Sequence, residues 1–185
     1  MRATLADYLA KDSAILTLHQ SIVIDEKASQ LNGNMPNLYG NEMVLWRVGG
    51  LRDKDKIEIW IYHLLLCTYF PQKSVKFYYR EGEQTGQLSF EKLSSEEALA
   101  QLTVYVKDYL TGLSQAQIVV YQGIEEYLKK GSENSEQALS NLVEDRDGSY
   151  LNRILSQTTT LNSKEIYQRT VNWFGLMNEK TERNN

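Results

Sequence analysis

Few residues are placed to do chemistry. Asp25-Glu26-Lys27 closes the β-rich run Ser21-Ile22-Val23-Ile24. An acid-x-Lys on a strand is half of a magnesium-nuclease site, where carboxylates hold the metal and the lysine helps position the attacking water. The other half must be an acid from a neighbouring strand. Upstream stand only Asp7 and Asp12, in or beside a helix-patterned segment. A charged turn ending a strand is therefore the favoured reading, and a divergent nuclease built on Asp25 and Lys27 is the alternative. His19 and His63 are the two histidines, and Cys67 is the single cysteine. That set excludes a zinc site of Cys and His ligands and any disulfide within the chain, and it points to a reducing compartment. Cys67 lies in the apolar run Trp60 to Cys67, as a small hydrophobe and not a nucleophile. No nucleophile elbow and no Walker or Rossmann glycine loop accompanies these residues, so neither a metal nor a cofactor is expected.

Tyrosines offer a second chemistry. Tyr62, Tyr69, Tyr78, Tyr79, Tyr105, Tyr109, Tyr121 and Tyr127 could stack on bases. Rings at helical spacing could equally pack half-buried with their hydroxyls outward, or build a protein interface. Composition does not separate the three.

These residues need a scaffold, and 185 residues suffice for one ordinary domain with a real core. Two prolines and no Gly/Ser-rich linker argue for a single domain over residues 1–178, followed by a polar tail, 179–185, expected to fray. A net charge of −4 excludes a strong free-standing nucleic-acid binder, which would carry a basic excess to neutralise phosphates, but it does not exclude one basic patch. The first residues lack a signal-peptide pattern, and the longest apolar run is too short to cross a bilayer. A cytoplasmic protein away from membranes is the expectation.

Local pattern divides the chain in two. A short helix is predicted up to about Lys11, then strands over Ile15–His19 and Ser21–Ile24. Another strand should run from Gln30 and end at Pro36, with a turn at 37–41 and a strand at Met43–Val48. Gly49-Gly50 breaks this antiparallel meander. Asp53 is placed to cap a helix from Lys54 to Tyr69, whose Ile57, Trp60, Ile61, Leu64, Leu65 and Thr68 follow helical spacing. Val75–Arg80 and Gln87–Phe90 read as a hairpin across the Gly82–Gly86 turn. Ser94 and Glu97 form a capping box for a helix to Thr111, with Leu99, Leu102, Val106, Tyr109 and Leu110 predicted to face the core. Further helices are predicted at about 120–130, 134–145, 149–156 and 163–178. A sheet-forming first half and a helix-rich second half define an α+β class.

Three stretches together resemble a known family: Gly33-Asn34-Met35-Pro36-Asn37-Leu38-Tyr39-Gly40, Met43 through Asp55, and Ile59 through Cys67. They are similar to the RecC C-terminal domain, whose Gly-x-(apolar)-Pro strand precedes an (apolar)-x-Arg-x strand and a Trp-x-x-His-Leu helix. Trp60, His63 and Leu64 match that helix, whereas Gly50-Leu51 lacks the family's usual lysine. Ser94 to Tyr109 with Gly112-Leu113, and Tyr150 to Leu155, resemble its later segments.

The resemblance implies a piece of a longer subunit with a restriction-endonuclease-like core: a small, mostly antiparallel sheet with flanking helices. Active relatives of that fold carry Gly-x-(apolar)-Asp on one strand and Asp-x-Lys on the next. Those positions fall here at Pro36 and at Leu45-Trp46-Arg47, so two metal ligands are missing together and the inherited site would be silent. The implied role is contact with RecB and RecD and guidance of DNA strands within the complex. Arg52, Lys54, Lys56 and Arg80 are the candidate DNA-facing charges. A free-standing interaction module that reuses the fold is a further alternative, and an isolated domain with exposed interface would be prone to self-association.

Overall fold

The computed structural model describes residues 2–114, 119–120, 123–131 and 163–184. The predicted helices at 134–145 and 149–156, Tyr121 and the segment Tyr150–Leu155 lie outside them. Where the sequence pattern predicts a single domain, the chain divides into two compact units, 1–115 with 180–185, and 116–179.

The first unit opens with α1 (Arg2–Leu9), β1 (Ala14–Ile24), β2 (Lys27–Tyr39) and β3 (Glu42–Trp46). It continues through α2 (Asp53–Tyr69), β4 (Ser74–Glu81), β5 (Gln84–Phe90) and α3 (Ser95–Gly112), and it closes with β6 (Thr181–Asn184). The six strands form one sheet in sequence order, antiparallel at every step except β3–β4. There α2 makes the crossover that a parallel pair requires.

The runs Ile15–His19 and Ser21–Ile24 belong to one strand, and its turn explains the charged triplet. Ile24 pairs with Lys27 across a two-residue turn in which Asp25 and Glu26 take φ of 46° and 66°. Two successive left-handed residues match the twist of a tight hairpin, and aspartate tolerates that conformation better than most residues. β2 does not stop at Pro36. Its register against β1 shifts between the pairs Leu16–Met35 and Ala14–Leu38, so Pro36 and Asn37 (φ 57°) face Ile15 alone. A proline has no N–H to give the ladder, and a bulge is where a strand tolerates one.

The sheet is covered on both faces. Val44 and Tyr78 pack with Leu5, and with the half-buried Tyr8 and Tyr39, on the side of α1. On the other face Trp60 of α2 is fully buried, with its ring edge-on to Phe90 at 5.0 Å and stacked on His63 at 5.4 Å. Burying a side chain of that size contributes roughly 3 kcal/mol. α3 starts as predicted: the Ser94 hydroxyl accepts from the Glu97 amide at 3.2 Å, and the Glu97 carboxylate accepts from the Ser94 amide at 3.0 Å.

Three expectations are corrected. Arg52, not Asp53, is the N-cap of α2; its amide donates to the Asp55 carboxylate at 3.1 Å. Of the α3 residues assigned to the core, Leu102 is buried but Leu99, Tyr109 and Leu110 are exposed, the last two because they line an open groove and not a closed core. The polar tail does not fray: Thr181–Asn184 is the edge strand β6, paired residue by residue with Gln87–Phe90. Its pairing with β5 satisfies backbone groups, which polar side chains do not prevent at a sheet edge.

The second unit holds α4 (Ile124–Lys130) and α5 (Ser163–Lys180, which ends in the first unit). Thr170 is fully buried there, its hydroxyl donating to Ile166 O at 2.8 Å and accepting from the Val120 amide at 3.1 Å. No described helix is long and apolar enough to cross a membrane.

Candidate functional site

Pro36 and Leu45, the two positions that the resemblance sets against metal-binding acids, stand on neighbouring strands just beyond the last β2–β3 ladder pair, Leu38–Met43. Neither side chain can ligate a cation. Arg47 follows β3, its amide donating to Tyr78 O at 2.9 Å. Its guanidinium lies 3.5 Å from the carboxylate of Asp55, which is buried in the first turn of α2. Arg52 engages the same carboxylate through Nε at 3.0 Å and Nη2 at 2.6 Å. Two arginines and the helix N-terminus neutralise one buried acid. The corner is thus an ion-paired joint between β3 and α2, and it does not fit a divalent cation.

The other candidates are dispersed. Asp25 sits on the hairpin tip in a surface ion pair with Lys107 of α3 at 2.8 Å, which holds the Lys107 ammonium above its ordinary pKa. Lys27 is exposed at the start of β2. Among the described residues no group of three His, Cys, Asp or Glu side chains could hold a metal ion. His19 is exposed, 2.9 Å from its cross-strand partner Asn32. His63 is buried, and its Nε2 donates to Glu91 O at 3.0 Å. Burial pushes its pKa down to about 4 against the smaller opposing effect of that hydrogen bond. Cys67 Sγ lies 3.5 Å from the same ring, and burial raises its thiol pKa, the opposite of what a nucleophile needs.

Two concave surfaces stand out among the described residues. One is an apolar groove of about 450 Å³ between β2, α2 and α3. Ile61 and Leu65 line it from α2, Leu102, Val106 and Leu110 from α3, and Leu18 and Met35 form its floor. Tyr62, Tyr105 and Tyr109 stand along it, so three of the candidate stacking tyrosines are brought together. The other is a polar depression of about 360 Å³ that gathers Lys56, Arg80 and Arg183 around Gly50 and Gly82.

Of the four basic candidates, Lys56 and Arg80 are among the residues that line it, Arg52 is turned onto Asp55, and Lys54 is exposed and does not line the depression. Sequence reasoning misses Arg183, because it falls in the tail expected to fray. It also misses Asp55, whose signal is an acid three residues after the helix cap.

This is an α+β domain with a mixed six-stranded sheet, a corner unsuited to a metal, an apolar groove and a small basic depression. Residues 1–132 match the family model of the RecC C-terminal domain, and the chain belongs to that family. It is 28% identical over 164 residues to the RecBCD enzyme subunit RecC of Haemophilus influenzae, covering 80% of this chain and 14% of that protein. It is 23% identical to the subunit of the same name from Buchnera aphidicola subsp. Schizaphis graminum, over 78% of this chain and 15% of that protein. The chain from Buchnera aphidicola subsp. Baizongia pistaciae is also 23% identical, over 91% of this chain and 17% of its own length. The chain thus spans about one-seventh to one-sixth of the length of these curated relatives.

Proposed function

We propose that this chain is a noncatalytic domain of a RecC-type subunit of a RecBCD-type helicase–nuclease, with a restriction-endonuclease-like core used for assembly and for guiding DNA strands in double-strand-break repair. The observation that carries the reading is the fate of the would-be catalytic corner. Its two acid positions are Pro36, inside a bulge, and Leu45, and its lysine position is Arg47, held 3.5 Å from the buried Asp55. A cation committed to a structural acid does not position a water.

The apolar groove supports the assembly half of the reading, with a neighbouring subunit, RecB or RecD, as its occupant. Ile61 and Leu110 are 38% and 41% exposed on its two helical walls, and a groove of leucine, isoleucine and tyrosine suits an apolar protein surface. The name shared by the relatives, a subunit of the RecBCD enzyme, points the same way.

The test is a nuclease assay with magnesium and with manganese on linear single- and double-stranded DNA, comparing the wild type with an Asp25→Ala/Lys27→Ala variant. No cleavage above the buffer control is expected. Metal-dependent cleavage that the double variant abolishes would overturn the reading and make Asp25 and Lys27 the core of an active site.

A further inference from the structure

We infer that the open edge of β2, from Ala28 to Asn34, takes up an extended segment of a neighbouring subunit as an added β-strand, whose apolar side chains enter the groove against α2 and α3. The β1–β2 hairpin fixes which backbone groups are free to do this. Ile24 and Lys27 flank a two-residue turn, so they exchange N–H and C=O bonds, and every second pair along the ladder does the same. The register runs without a shift from there to Leu16–Met35. Ser29, Leu31 and Gly33 therefore bond to β1, whereas Ala28, Gln30, Asn32 and Asn34 aim their N–H and C=O groups at the opposite edge. β3 pairs with that edge at Leu38 and Tyr39, and among the described residues no strand pairs with it from Ala28 to Asn34. Those four residues are exposed.

The groove reaches this edge. Ser29 through Met35 line it without a gap, whereas a cleft over one face of a strand would touch every second residue. Across from them stand Ile61 and Leu65 of α2 and Val106 and Leu110 of α3. An added Cβ at Gly33 would meet nothing within 4 Å, so the β2 wall leaves room for a side chain from outside.

Charge complementarity identifies the occupant. From Ala28 to Met35 β2 has no charged side chain and no proline, two of the devices by which sheet edges repel other strands. What the edge offers is a row of partial charges, N–H positive and C=O negative, at the spacing of a β-strand. The backbone of another extended chain carries the matching row, and a docked helix, its backbone groups already bonded to each other, does not. The apolar groove beside the edge then selects a segment with an apolar side chain at every second position. The inference rests on the assembly half of the proposed function and adds to it the form in which the partner binds.

The test is residue-resolved amide hydrogen exchange on the full-length subunit, alone and assembled with RecB and RecD. Assembly is expected to slow exchange at Ala28, Gln30, Asn32 and Asn34 by about tenfold or more, and to change Ser29, Leu31 and Gly33, already bonded to β1, far less. Gln30→Pro removes one outward donor and leaves the β1 ladder intact, and sheet edges tolerate proline. It should weaken assembly about fivefold or more, whereas Gln30→Ala, which keeps the N–H, should stay within about twofold of the wild type. Gly33→Leu fills the groove from the β2 side and should also weaken assembly, which gives a second reading if circular dichroism shows the proline variant unfolded. Uniform slowing along Ala28–Asn34 in the assembled complex, or none, overturns the inference and leaves the assembly reading standing. Alternate protection already present in the free subunit overturns it by giving the edge to the subunit's own chain. Protection that rises with concentration in the 185-residue chain overturns it by giving the edge to a second copy. A subunit that does not assemble at all sinks the assembly reading and this inference with it, and the noncatalytic reading still stands or falls by the cleavage assay.

Discussion

Arg47 and Asp55 face one another at 3.5 Å across the turn between β3 and α2, and the carboxylate is the more deeply buried of the two. The asymmetry decides which substitution hurts. Asp55→Asn removes the charge that both Arg47 and Arg52 answer, and it weakens the bond to the Arg52 amide at the N-cap. Loss of about 2 kcal/mol is expected from a capping and charge-assisted interaction of this kind. Arg47→Met should cost less, since Arg47 Nε is already buried without a hydrogen-bond partner and Arg52 still holds the acid. Urea unfolding of the two variants ranks them, and the reverse order would show that Arg47, and not the Asp55 carboxylate, carries the joint.

His63 makes stability depend on pH. Its folded pKa is about 4, below the unfolded value of about 6.5, so between these limits the unfolded chain binds more protons than the folded one. Stability therefore falls as pH is lowered from about 6.5 towards 4, by up to about 3 kcal/mol. The buried imidazole cannot take up the proton without losing its solvation. Glu42, its pKa held down chiefly by its hydrogen bond to the Lys76 ammonium, adds a loss at lower pH still, below the ordinary carboxylate range. The check is the urea midpoint at about pH 7, 5.5 and 4.5 for the wild type and for His63→Gln, which keeps a donor for Glu91 O. Parallel curves for the two proteins would remove His63 as the cause.

Gly86 stands opposite Tyr79 on neighbouring strands, and the tyrosine ring lies over it. An added Cβ would come within 2.6 Å of the ring's Cε2. The ring is buried and cannot swing aside, so Gly86→Ala is expected to cost about 1–3 kcal/mol by overpacking. In a Tyr79→Leu background the same change should be milder, and a thermodynamic cycle over the two positions measures the difference.

The strong periodic helix α2 is legible in the sequence because Trp60, Leu64 and Cys67 pack inward at helical spacing, and the Ser94–Glu97 box marks the start of α3. What periodicity cannot report is whether a neighbour covers the stripe. Leu99, Tyr109 and Leu110 have the pattern of a core and stand in the open. Pro36 reads as a strand end because a bulge depends on the partner strand, and Arg183 reads as tail because β6 exists only through its pairing with β5. The site suffers most from this. The depression around Gly50 and Gly82 is assembled from segments distant in the chain.

That uncovered stripe yields the sharpest consequence for assembly. Ile61 and Leu110 face the groove from α2 and α3 and are already partly in water, so the paired change Ile61→Glu/Leu110→Glu should alter the stability of the isolated chain by only about 0.5 kcal/mol per site. The same charges would have to be desolvated under an apolar partner, where an unpaired carboxylate is far more costly. Association of the full-length subunit with RecB and RecD, followed by co-purification and by sedimentation, should therefore fall at least about tenfold while the fold survives, a drop of about 1.4 kcal/mol or more in binding. Self-association of the isolated chain, if the wild type shows it, should fall in step, because the same apolar groove would drive both. Unchanged assembly with the double variant would mean that the groove faces solvent in the complex, and the subunit interface would have to be sought on another surface.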